Sequence, residues 1–160
     1  MSKCVFAGTF DPFTLGHFDV VKRVSKMFET VYVVVSKNAS KNTVIDSQTR
    51  YDMVVKACID EPNVKIVLHE GLLVDFCNDV GANCIVKGVR NSTDFDYERL
   101  QASVNKQLGN IETLFLPCSD DMSFLSSSFV RELLSFGKDI SKYVPEQIVE
   151  EVKKIYSKQK

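Results

Sequence analysis

The feature that most constrains this chain is an alternation that runs from end to end. Short apolar, β-branched runs are separated by segments whose apolar residues recur at helical spacing. Residues 4–7 and 31–35 are continuously apolar, as strands are when a sheet is covered on both faces. Residues 64–68, 84–86 and 113–116 read as three more strands. Between the first two, Phe18, Val21, Val24 and Phe28 keep helical spacing, as do Val54, Val55, Cys58 and Ile59 after Ser47, a residue suited to an N-cap. Further helices are predicted over 72–80, 95–108 and 127–136, each followed by a glycine, and over 145–156, where Pro145 suits a first turn.

Strands alternating with helices imply crossover connections and a parallel sheet. The expected fold class is α/β: a single-domain, Rossmann-like, doubly wound five-stranded parallel sheet with helices on both faces and C-terminal helices. With 160 residues the chain suits one domain, 1–160, and such a length supports a sizeable core. Twenty basic side chains against twenty-one acidic ones give no basic excess, so nucleic acid is not an expected partner. No apolar run approaches the ~20 residues that span a bilayer, and the N-terminus has no signal-peptide core, so no membrane partner is expected either. The five cysteines form no C-x-x-C pair and read as free thiols of a reducing cytoplasm, with no metal-ligating set.

In open parallel sheets, ligands bind beyond the carboxyl ends of the strands, where the strand order switches. The polar segment after the first strand runs Gly8-Thr9-Phe10-Asp11-Pro12-Phe13-Thr14-Leu15-Gly16-His17. It places Gly16 and His17 at a helix N-terminus, whose exposed amides and positive dipole end suit a phosphate. His17 taken alone would more often be a capping residue. Neither G-x-G-x-x-G nor G-x-x-x-x-G-K-[ST] occurs, which disfavours dinucleotide oxidoreductases and P-loop NTPases.

Gly-Thr-Phe-Asp-Pro followed by Thr14-Leu15-Gly16-His17 resembles the nucleotidylyltransferase superfamily. Three further segments make the chain similar to the phosphopantetheine adenylyltransferase family within it. They are Val86-Lys87-Gly88-Val89-Arg90 with Asp94-Phe95-Asp96-Tyr97-Glu98, then Phe124 to Ser128 with Val130-Arg131-Glu132, and Ser40-Lys41. The resemblance implies transfer of AMP from ATP to 4′-phosphopantetheine, giving dephospho-coenzyme A and pyrophosphate. It implies catalytic roles for His17, Lys41 and Arg90. It implies ATP contacts from Thr9, Phe10, His17, Gly88, Val89, Arg90, Glu98 and the run Met122, Ser123, Phe124, Leu125, Ser126, Ser127 and Ser128. Contacts to the acceptor would come from Thr9, Lys41, Leu73 and Lys87. It further implies a homohexamer and coenzyme A as a feedback inhibitor.

That chemistry suits the residue types. A phosphate nucleophile is already ionised near neutral pH, so catalysis reduces to positioning and charge stabilisation. Mg²⁺ is expected on the ATP phosphates, without a protein cage of carboxylates. Plainer readings stand beside each role: Lys41 as a solvated lysine, the serines as a helix cap, Arg90 and Glu98 as an ion pair with each other, Leu73 as core, and His69 as a loop residue. Three residues depart from the family pattern: Lys87 where arginine is frequent, Met122 where tryptophan is, and Ala7 where proline is. Lysine keeps the charge but loses the planar fork that grips phosphate. Nicotinate or nicotinamide mononucleotide is the alternative acceptor, disfavoured because histidine is usual there in place of Thr14. A non-catalytic nucleotide-binding module is the alternative of a different class.

Overall fold

The computed structural model describes residues 2–37 and 42–157. Five strands, β1 (Lys3–Gly8), β2 (Thr30–Ser36), β3 (Val64–His69), β4 (Cys84–Val89) and β5 (Glu112–Pro117), pair in parallel in the order β3-β2-β1-β4-β5. The order reverses between β1 and β4, so the switch point lies at the carboxyl ends of those two strands.

Alternation of side chains along each strand sorts the core into two layers. Cys4, Phe6, Val31, Val33, Val35, Cys84 and Val86 pack on one face with α1 (Leu15–Val24), α2 (Ser47–Ala57), α5 (Ser127–Ser135) and α6 (Val149–Ser157). Val5, Val34 and Ile85 pack on the other with α3 (Leu73–Val80). That double cover is why the strands read as uninterrupted apolar runs. The remaining helix, α4 (Ser92–Gly109), has no fully buried residue. Among the described residues no helix is long and apolar enough to cross a membrane.

Several expected boundaries shift for identifiable reasons. Asp46, rather than Ser47, caps α2, its carboxylate accepting the Thr49 N–H at 3.0 Å. Helix α1 ends at Val24, short of Phe28. Gly109 lies inside α4, where a Cβ would meet Val74 at 2.8 Å, and Asn110 takes the left-handed capping conformation instead. Pro145 precedes a 3-10 turn (Glu146–Ile148) before α6 begins. His69 closes β3 instead of lying in a loop.

Candidate active site

A cleft of about 680 Å³ opens at the switch point. Its floor is the segment after β1. Gly8 is required there by close approach: a Cβ would sit 2.6 Å from Cε1 of the Phe10 ring. Phe10 holds a positive φ of 54° and is itself buried. The turn continues through the cis Asp11–Pro12 peptide. Asp11 is buried, and its carboxylate accepts the Val44 and Ile45 amides at 2.9 and 3.0 Å. Arg131 donates to the Asp11 carbonyl at 2.7 Å. Arg50, also buried, donates to the carbonyls of Ile45, Thr9 and Ser36, and so ties the ends of β1 and β2 together.

Thr14 then caps α1 in a reciprocal capping box, with His17 in the place usually held by Glu or Gln. The Thr14 hydroxyl accepts the His17 N–H at 3.3 Å, and the Thr14 N–H donates to Nδ1 of His17 at 3.0 Å. A backbone N–H can only donate, so Nδ1 is unprotonated and the neutral ring carries its proton on Nε2. Nε2 has no hydrogen-bond partner among the described residues, on a side chain that lines the cleft. Phe13 stacks on the ring at 5.5 Å and Phe10 meets it edge-on at 5.1 Å. Burial among these rings, followed by the nearby Arg90 charge, pushes the His17 pKa down to about 4.

The opposite wall comes from β4 and α4. Gly88 passes so close to α1 that a Cβ would lie 2.9 Å from Cγ2 of Val20. Arg90 forms a two-pronged pair with Asp94, Nε to Oδ2 at 2.8 Å and Nη2 to Oδ1 at 3.1 Å, while Lys87 pairs with Glu98 at 3.1 Å. Arg90 and Glu98 are therefore not each other's partners. All four side chains are partly exposed to the cleft. The third side is the start of α5. Ser126 is its cap, accepting the Phe129 N–H at 3.0 Å, and the Ser127 hydroxyl donates to the Pro12 carbonyl at 2.8 Å.

Of the residues singled out from the sequence, the cleft gathers Thr9, Phe10, His17, Leu73, Lys87, Gly88, Arg90, Glu98, Met122, Leu125, Ser126 and Ser127. Val89, Ser123, Phe124 and Ser128 do not line it. Val89 is spent on the sheet, where its carbonyl accepts the Cys118 N–H at 2.9 Å. Phe124 packs its ring against Phe129 and Tyr143, and the Ser128 hydroxyl accepts from Arg131. Lys41 lies outside the described residues. Sequence reasoning gave no role to Asp11, Arg50, Asp94 or Cys118, of which Asp94 and Cys118 line the cleft. Asp11 and Asp94 stood inside motifs already singled out, whereas Arg50 and Cys118 did not.

The chain matches a family model described as cytidylyltransferase-like over residues 5–133. A phosphopantetheine adenylyltransferase of Finegoldia magna is 44% identical, aligned over 98% of this chain and 97% of its own length. One from Staphylococcus carnosus is 40% identical over 98% of both chains. Among solved structures, a Vibrio parahaemolyticus protein provisionally named a nicotinate-nucleotide adenylyltransferase superposes with a TM-score of 0.69 at 22% identity, over 98% of this chain and 96% of its own, a likeness of fold alone. With strand order, cleft and full-length similarity in agreement, the chain belongs to the cytidylyltransferase-like family and, within it, to the phosphopantetheine adenylyltransferases.

Proposed function

We propose that this protein transfers AMP from MgATP to 4′-phosphopantetheine, yielding dephospho-coenzyme A and pyrophosphate, a step of coenzyme A biosynthesis. The observation that carries the reading on the structural side is the locked His17 tautomer, which turns one neutral N–H donor toward the cleft. An oxygen of the acceptor phosphate attacks the α-phosphorus in line. The bond from that phosphorus to the bridging oxygen of the β-phosphate breaks, and its electron pair leaves on pyrophosphate. His17 Nε2–H donates to the charge that develops on the transferring phosphoryl oxygens, with the α1 amides beside it. Arg90 offsets part of the rest, and a magnesium ion carried on the ATP phosphates would neutralise further charge on the leaving pyrophosphate. No proton need be removed from the nucleophile, so no base is required.

In this reading Thr9, Phe10, Gly88, Glu98, Met122, Leu125, Ser126 and Ser127 contact ATP, while Thr9, Lys41, Leu73 and Lys87 contact the acceptor. Coenzyme A competes for the same cleft as a feedback inhibitor. We further propose a homohexamer in the cytoplasm. Support for assembly comes from α4, where Tyr97, Leu100, Val104 and Leu108 leave an exposed apolar stripe at helical spacing. Support for the compartment comes from five cysteines that are all free thiols.

The test is pyrophosphate release from MgATP with one acceptor at a time: 4′-phosphopantetheine, nicotinamide mononucleotide, nicotinate mononucleotide and glycerol 3-phosphate. Release with 4′-phosphopantetheine alone, abolished by His17→Ala, is expected. Release only with another acceptor would overturn the substrate, and MgATP binding without release from any acceptor would overturn the activity.

A further inference from the structure

The guanidinium of Arg90 has five N–H groups, and three are already engaged inside the protein. Nε and one N–H of Nη2 lie on the two oxygens of Asp94, and Nη1 reaches the Leu125 carbonyl at 3.4 Å. One N–H on each terminal nitrogen is left for an anion in the cleft. Asp94 is itself held in place. Its backbone N–H donates to the Asn91 side chain at 2.9 Å, and its carboxylate also accepts the Arg90 backbone N–H at 3.3 Å. It sits in the first turn of α4, where the helix dipole favours a negative charge.

An acidic side chain beside a phosphate site ought to weaken anion binding, unless its effect on an arginine outweighs the repulsion. The paired geometry supplies such an effect. A guanidinium fixed along one edge loses less conformational freedom when its remaining donors meet a phosphate. We infer that Asp94 is a positioning residue for ATP, acting through Arg90: it orients the guanidinium so that its two remaining N–H groups meet the nucleotide phosphates. This rests on the proposed use of the cleft for MgATP.

The experiment is a double-mutant cycle on MgATP binding, read by calorimetry on Asp94→Asn, Asp94→Glu, Arg90→Ala and the Asp94→Asn/Arg90→Ala pair. Asp94→Asn should weaken MgATP binding about 10- to 100-fold, the scale on which a misplaced binding group is felt. Asp94→Glu should recover part of the loss, because both acceptor oxygens return. In the Arg90→Ala background, Asp94→Asn should cost nothing further, which a merely structural role would not produce. Tighter MgATP binding in Asp94→Asn would overturn the inference by making the carboxylate a competitor of the phosphate. An additive loss in the pair would overturn it too, since Asp94 would then act without Arg90. Absence of MgATP binding in the unsubstituted protein would overturn both this inference and the function it rests on. Binding without pyrophosphate release would overturn only the function.

Discussion

The segment from Gly8 to His17 and the wall formed by β4 and α4 both deliver polar groups to one cleft, but they hold them by different means. In the first, the supporting side chains are buried: Asp11 and Thr14 keep 5% and 1% of their exposure and Arg50 keeps 3%, and each makes at least one hydrogen bond to backbone. In the second, two ion pairs stand partly in solvent between the end of β4 and a helix with no fully buried residue. Buried, satisfied polar groups are costly to disturb, whereas pairs that keep some access to water cost less to break. The first wall therefore carries fixed geometry. The second carries charge at the edge of the cleft, with Arg90 seated on Asp94 and Lys87 on Glu98.

The largest effect that would break this contrast is a mild response to Arg50→Leu. Removing that side chain strands three carbonyls and should cost about 3 kcal/mol or more in urea unfolding. A loss below about 1 kcal/mol would mean the floor is not held as described. Gly8→Ala comes next, at about 1–3 kcal/mol, because the added methyl must displace the buried Phe10 ring. The same change should depress turnover more than it depresses stability, since Phe10 packs directly on His17.

Titration gives a third effect, spread over the interval between two pKa values. The folded-state pKa of His17 is about 4, below the ordinary value of 6.5. Between those values the unfolded chain binds the extra proton, so stability is fully present above pH 6.5 and is lost as the pH falls toward 4. The slope should not exceed about 1.4 kcal/mol per pH unit, and His17→Gln should remove that contribution. The smallest effect is expected on the other wall. Glu98→Gln should change stability by about 1 kcal/mol, because the partly buried Lys87–Glu98 pair holds Oε2 without a hydrogen bond, while altering substrate binding. A large destabilisation there would erase the difference between the two walls.

The central strands were legible in the sequence because a sheet covered on both faces favours apolar residues along its buried positions, and β2 supplies them without a break from Val31 to Val35. The Thr14–His17 helix start was legible because its spacing is local. What was not legible depends on chain segments far apart. Arg50 lies 41 residues from Thr9, and Asp11 lies 34 from Ile45; no local pattern announces those bonds. The positive φ of Phe10 is likewise imposed by packing rather than by residue type. Arg90 and Glu98 each find an ion partner, but the strand-to-helix geometry gives Arg90 to Asp94 and Glu98 to Lys87. Gly81 caps α3 as expected, but at Gly109 the signal misled by one residue: Asn110 takes the capping conformation, and Gly109 is needed for its small size beside Val74.

The neutral His17 donor is tested most directly by nitrogen-15 NMR of the imidazole at pH 6, with and without MgATP. A ring protonated on Nε2 alone, with Nδ1 in the acceptor state set by the Thr14 amide, is the predicted result. An imidazolium at pH 6 in the free protein, or a proton on Nδ1, would contradict the locked tautomer and the transition-state role built on it.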